Sequence, residues 1–174
     1  MKFKKTIAAA LFSIMSIGAT NASAATPFIS CLENPLVQFD GTVVDAAIAT
    51  PELSTLVTAV TAAGLGDLLA TAENITVYAP TNDAFAKIPG MVLNEFLADV
   101  DALTGILAYH VTPVPADPRK FITPLRRMTL AEQPVFFHRM NNNQMVNNAI
   151  VDCTGVRTNN GTVWLIDSVL MPSS

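Results

Sequence analysis

The chain has 174 residues, 51% of them hydrophobic, with 10 Lys and Arg against 14 Asp and Glu. That length suits one domain built on one sizeable core. The acidic balance argues against nucleic acid or anionic lipid as a partner, because both require neutralising basic patches.

The chain opens with a positive cluster, Lys2, Lys4 and Lys5, followed by the apolar run "TIAAALFSIMSIG" over residues 6–18, too short for a relaxed membrane span. Ala22-Ser23-Ala24 then supplies the small-x-small pattern of a signal peptidase site. Residues 1–24 are therefore predicted to be a cleaved secretory signal of bacterial type, which places the protein in the periplasm or outside the cell. "FISC", ending at Cys31, loosely resembles a lipoprotein box, although Phe28 fits it poorly and polar residues separate it from the apolar run. No transmembrane span is expected. With the three leader lysines gone, 7 basic residues face 14 acidic ones, a net charge of -7. The local basic cluster, Arg119-Lys120 with Arg126-Arg127, reads as a solvated loop. Cys31 and Cys153 are the two cysteines of the chain. In an oxidising compartment an even pair predicts a disulfide, here one tying the N-terminal extension (residues 25–40) to the rest of the protein.

Residues 43–70 read as helix in pieces. Leu53, Leu56, Val57 and Val60 recur at helical spacing, Pro51 suits a first turn with Thr50 as its cap, and Gly64 and Gly66 break the pattern. Ile75-Thr76-Val77-Tyr78 is a strand signal, ended by Pro80. Thr81 can cap the next helix, with Asp83 in its first turn. Helical signals return at 92–97 and 101–109, where Leu103, Ile106, Leu107 and Tyr109 or His110 share a face. Pro113, Pro115 and Pro118 mark a rigid, exposed connection. Strands are predicted at 128–130, 134–140, 149–156 and 162–169. The asparagine tract 141–148 reads as a turn between two of them, and "NNGT" at 159–162 is the strongest hairpin signal. The fold class is α+β, with a helix-rich first half and a strand-rich second half.

Three ordered blocks carry a family resemblance. "TVYAPTNDAF" at 76–85, Tyr109-His110, and "NGTVWLIDSVLMP" at 160–172 resemble the motifs of the fasciclin (FAS1) adhesion domain. The matching positions are Thr76, Ala79, Pro80, Thr81, Asn82, Phe85, Tyr109, His110, Asn160, Gly161, Asp167 and Pro172. The resemblance implies a FAS1 domain over residues 41–174, a β-sheet wedge with helices packed on it. Tyr78 stands where the family commonly has Phe, Trp164 stands where it commonly has His, and residues 113–133 depart from its pattern. The first block is then a strand-to-helix corner required by the fold, not a catalytic loop.

The search for chemistry ends without a constellation. No serine sits in a nucleophile elbow, and Asp99 and Asp101 lie at a helix start, where they serve the dipole. His110 and His138 lack a Cys or His at ligand spacing, so neither metal nor cofactor is expected. A histidine placed like His110 can act as a general base, but is more often held by hydrogen bonds to a neighbouring loop; His138 reads as exposed or paired. Asp167, an acid in an apolar strand, reads as a cap or as a bond to backbone across the sheet, because a lone buried carboxylate is costly; the alternative is a recognition surface. No enzyme is expected. The resemblance implies an exported module for adhesion or matrix interaction, binding cell-surface proteins or polysaccharide and weakly self-associating. Loops carried on a rigid scaffold are where binding usually resides, which points to the 113–127 connection and the 141–148 turn, with the last block around Asp167 as the alternative seat. The alternative is a carrier of a small apolar ligand between helices and sheet.

Overall fold

The computed structural model describes residues 28–120 and 125–172, so the predicted leader, its cleavage point and Pro124 lie outside the described residues. The chain begins with α1 (Phe28–Glu33) and the short β1 (Val37–Gln38). It continues through α2 (Val43–Ile48), a 3-10 turn (Pro51–Leu53), α3 (Ser54–Ala62) and α4 (Gly66–Thr71). Thr42 and Asp45 form a reciprocal capping box at the start of α2. Thr50 occupies the cap position before Pro51 but does not cap; its hydroxyl donates back to Ala46 O at 2.8 Å. Gly64, at φ +67°, ends α3, with Gly64 N donating to Thr61 O and Leu65 N to Val60 O. A side chain is disfavoured at that backbone angle, which is why the helical pattern stops there.

β2 (Ile75–Pro80) is buried along its whole length. It leads into α5 (Asn82–Ala86), α6 (Gly90–Ala98), α7 (Val100–Tyr109) and β3 (Val111–Thr112). The second half supplies β4 (Arg126–Met128), β5 (Pro134–Met140), β6 (Asn143–Val146), β7 (Ala149–Arg157) and β8 (Gly161–Ile166). These strands form one sheet in the order β3-β2-β8-β7-β6-β5-β4, with β1 pairing parallel to β7. β2 runs parallel to β8, Ile75 opposite Gly161 and Tyr78 opposite Trp164. The two halves of the chain are therefore not separate layers: the strand of the helical half sits beside the last strand of the other.

Alternation along β2 and β8 divides two cores. Ile75, Val77, Ala79 and Val163 face the helices, joined by Leu53, Leu56, Phe85, Leu103, Ile106 and Leu107. Tyr78, Trp164 and Ile166 face the other way, into a cluster with Tyr109, Val135, Phe137, Val146 and Leu170. The sheet curls around this second cluster. Leu130 N, just past β4 at one edge, donates to Val111 O in β3 at the other, at 2.8 Å. Both faces of β2 are thus covered, which accounts for its burial from end to end.

Two local expectations need correction. The strand expected at 128–130 lies at Arg126–Met128, and residues 129–132 form the turn before β5. The asparagine tract is not one turn: it contains β6, flanked by turns in which Asn141, Asn142 and Asn147 take φ of 50°, 66° and 51°. Asparagine tolerates that left-handed region, so each end of the tract can reverse the chain.

Candidate functional site

The most elaborated surface is the end of the sheet where residues 113–120 fold over it. Cross-strand pairing places Thr112, Thr76, Thr162 and Arg157 in one row on neighbouring strands β3, β2, β8 and β7. Thr76 Oγ1 donates to Val114 O at 2.9 Å and accepts from Ala116 N at 2.8 Å. Trp164 Nε1 donates to Ala116 O at 3.1 Å, which pins the same loop from the second core.

This loop is only in part the exposed connection that its prolines suggest: Pro113, Val114 and Pro115 are exposed, but residues 116–119 turn inward. Ala116, Pro118 and Arg119 are buried. Arg119 also departs from the solvated-cluster expectation, being 5% exposed with its guanidinium 4.7 Å from the centroid of the Trp164 ring. Its Nε and Nη2 donate to the two oxygens of Asp117 at 2.9 and 3.0 Å. Its Nη1 donates to the carbonyl oxygens of Asn34, Cys31 and Cys153 at 2.7, 3.2 and 3.3 Å. A buried cation is tolerated only when paired and hydrogen-bonded, and here it is both. Cys31 and Cys153 are joined as a disulfide, so the covalent link and Arg119 fasten the same N-terminal segment to β7. Cys31 consequently has no free thiol.

Beside the loop lies a cleft of about 260 Å³, lined by Leu36, Pro115, Ala116, Asp117, Lys120, Arg157, Thr162 and Trp164. Lys120 Nζ stands 3.8 Å from Asp117 Oδ2, and the Arg157 side chain is exposed at the rim. Gly155 keeps this corner narrow. Opposite Trp164 in the pairing, it has no room for a Cβ, which would come within 2.7 Å of the indole and of Leu36.

Apart from Thr76, the motif residues lie elsewhere and hold the fold. Thr81 caps α5 by accepting from Ala84 N, and Asn82 Oδ1 accepts from Thr55 N while its Nδ2 donates to Pro51 O. Ala79, Pro80 and Phe85 are buried. Tyr109 donates to Pro134 O at 3.0 Å and accepts from Asn147 Nδ2 at 2.8 Å. Asn160 accepts from Val43 N and donates to Leu69 O and Ala72 O, joining the start of α2 to the end of α4. A Cβ on Gly161 would run into the Ile75 carbonyl oxygen. Pro172 ends the described chain, half-buried.

His110 is 2% exposed. Its Nε2 accepts from Leu170 N at 2.9 Å, which leaves Nδ1 as the protonated nitrogen, donating to Ile106 O at 2.8 Å. Burial pushes its pKa down to about 4, against the Ile106 carbonyl, so the ring is neutral and both nitrogens are engaged. His138 is exposed on β5. Asp99 caps α7, accepting from Asp101 N and Ala102 N. Asp167 Oδ1 accepts from Ile150 N at 2.7 Å, and its Oδ2 pairs with Lys87 Nζ at 2.9 Å. Partial burial would raise this carboxyl, but Lys87, the Ile150 amide and Ser168 together hold it below the usual value. The backbone bond across the sheet is the one its position in the sequence predicts.

A second cavity, of about 80 Å³, lies between α2, α3, α4 and the sheet, walled by side chains that include Val43, Ala47, Leu56, Val60, Leu69 and Val163. Its lining is almost wholly apolar. Among the described residues no cluster of His, Cys, Asp and Glu could hold a metal ion, and no helix is long and apolar enough to cross a membrane.

Residues 51–172 match the Fasciclin domain family. The chain belongs to the fasciclin family. It is 34% identical to the immunogenic protein MPB70 of Mycobacterium bovis over 194 aligned positions, covering 99% of each chain. It is 39% identical to the cell surface glycolipoprotein MPT83 of Mycobacterium tuberculosis over 135 positions, covering 75% of this chain and 60% of that relative. Among solved structures, a FAS1 domain pair from the insect cell adhesion molecule fasciclin I matches with a TM-score of 0.60 at 16% identity, over 75% of this chain and 51% of that one. At that identity the likeness concerns the fold, and it confirms the FAS1 architecture expected from the three motif blocks.

Within this fasciclin fold, sequence reasoning missed Arg119, Asp117, Arg157 and Gly155. The available signals were two of the three departures from the family motifs noted in the sequence, Trp164 and the stretch that carries Arg119. They touch each other.

Proposed function

We propose that this fasciclin-family protein is an exported adhesion-type module that binds cell-surface proteins or polysaccharide by surface contact, self-associates weakly, and turns nothing over. The observation that carries this reading is the fate of the motif side chains. Thr76, Thr81, Asn82, Tyr109, His110, Asn160 and Asp167 are each spent on backbone bonds within the fold. A general base needs a nitrogen facing substrate, and His110 has none. What stays available is the outer surface, and loops on a rigid scaffold are where binding usually resides. The names of two relatives, a cell surface glycolipoprotein and a cell adhesion molecule, support the same reading.

Carriage of a small apolar ligand is the second reading, and the chemistry of the helix–sheet cavity favours it. Its size does not. About 80 Å³ is well below the roughly 300–1,000 Å³ of ligand pockets and below the ~150 Å³ of an engineered cavity that takes up benzene. Surface contact is therefore the better account. Labelled mature protein incubated with intact cells or extracted matrix should attach saturably and be displaced by unlabelled protein. Linear, non-displaceable uptake would count against it.

A further inference from the structure

We propose that the cleft between residues 113–120 and the end of β7 binds one acidic sugar unit, carboxylated or sulfated, of a surface polysaccharide; this rests on the adhesion reading above and names its ligand class. Lys87 is the single basic residue between positions 25 and 112, whereas six basic residues fall between 113 and 172. The protein as a whole is acidic, so an anion is repelled from the helical end and drawn to the other. Two of those six cations, Lys120 and Arg157, line this cleft with one carboxylate, Asp117, while a third, Arg119, is buried behind it.

Asp117 does not cancel them all. Both of its oxygens are bonded by the buried Arg119 fork, with Lys120 at a longer 3.8 Å. Arg157 makes no ion pair among the described residues and stands exposed at the rim. Its planar fork matches a carboxylate or sulfate through two parallel N–H donors. Thr162 lies in the same cross-strand row as Arg157, so the two side chains leave the same face of the sheet, and both line the cleft.

The remaining wall selects a sugar over a bare anion. Leu36 and Pro115 add apolar surface to the cleft, which suits the C–H face of a pyranose ring. A volume of about 260 Å³ admits one ring and not an extended peptide. The site is also rigid. Its floor and loop are fixed by the Trp164–Ala116 and Thr76–Ala116 bonds and by the disulfide behind Arg119, so little ordering is needed on binding.

The test uses the folded mature protein in calorimetric titrations with a uronic-acid oligosaccharide, a sulfated one, a neutral one of equal length, inorganic sulfate and a poly-glutamate peptide. Binding of an acidic oligosaccharide that weakens with salt, at least tenfold stronger than that of the neutral one and of sulfate, is the expected result. Arg157→Gln with Lys120→Gln, both exposed positions, should weaken it at least tenfold, and Thr162→Val should do so with the charges intact. Equal binding of neutral and acidic sugars, preference for the peptide, or full affinity in the double variant would overturn the proposal. If the protein attaches to cells but takes up none of these sugars, the inference fails while the adhesion reading stands. If it attaches to nothing, both fail.

Discussion

The Arg119 guanidinium lies 4.7 Å from the centroid of the Trp164 ring, and 45 residues separate the two in the chain. Both belong to stretches in which the sequence departs from the motif pattern that the resemblance implies, and the fold brings those two stretches into contact. Trp164 fills the second core, and Arg119 covers it while bonding Asp117 and three carbonyl groups of the segments joined by the disulfide. Arg119→Ala would leave Asp117 with Lys120 at 3.8 Å as its remaining cation and take the guanidinium donors away from those carbonyls. The expected cost is about 3–5 kcal/mol, read as a lower urea midpoint. Arg119→Lys should recover only part of it, because an ammonium cannot donate in a planar fork. A variant as stable as the parent would show that the cluster is dispensable.

The Cys31–Cys153 bond spans 122 residues. Chain-entropy arguments give ~5 kcal/mol for so long a loop, and roughly 2–4 kcal/mol is typical of what is measured. Replacing both cysteines by Ser should lower stability by that amount. The effect should not add to that of Arg119→Ala, since both fasten the same segment. Additive losses would mean that the two act independently.

His110 makes stability depend on pH. Its folded pKa of about 4 lies below the ordinary 6.5 of histidine, so the neutral ring favours the folded state. That contribution is fully present above pH 6.5 and is lost as pH falls from 6.5 through about 4, amounting to roughly 3 kcal/mol in all. His110→Phe should be less stable at pH 7, because Leu170 N and Ile106 O lose their partner, yet should show a flatter profile over that pH range. An unchanged profile would assign the titration to another group.

Tyr78 carries a buried hydroxyl that lacks a hydrogen bond of acceptable geometry, with Thr112 as the polar group facing it. Burial is the main cause holding this phenol above its ordinary pKa. Tyr78→Phe restores the residue common in the family at this place. It should leave thermal stability unchanged or raise it, since an unmade buried hydrogen bond costs about 1–3 kcal/mol. A lower melting temperature would reveal a partner for the hydroxyl.

Much of this was legible in the sequence wherever the cause is local. The Thr81 cap, the end of α3 at Gly64 and the backbone bond of Asp167 follow from neighbours within a few positions or from one strand register. The burial of Arg119 does not, because its partners at Cys31 and Asn34 lie 88 and 85 residues away and its ring lies in another strand. A basic, proline-rich stretch looks solvated until those carbonyls are brought to it. One practical consequence follows: replacing residues 113–127 by a neutral linker would remove buried groups, so it cannot serve as a test of binding alone. The asparagine tract misled for the opposite reason. Its turn chemistry is correct at both ends, but it hides β6, whose Met145 and Val146 pack through pairing with β5 and β7.

The central claim is contact without turnover. It is tested most directly by recovering the captured surface component, protein or polysaccharide, after prolonged incubation with the purified mature protein and measuring its mass and amount. The account predicts a component of unchanged mass, bound at no more than about one equivalent and released intact. A component that comes back shortened or modified, in amounts exceeding the protein present, would contradict it.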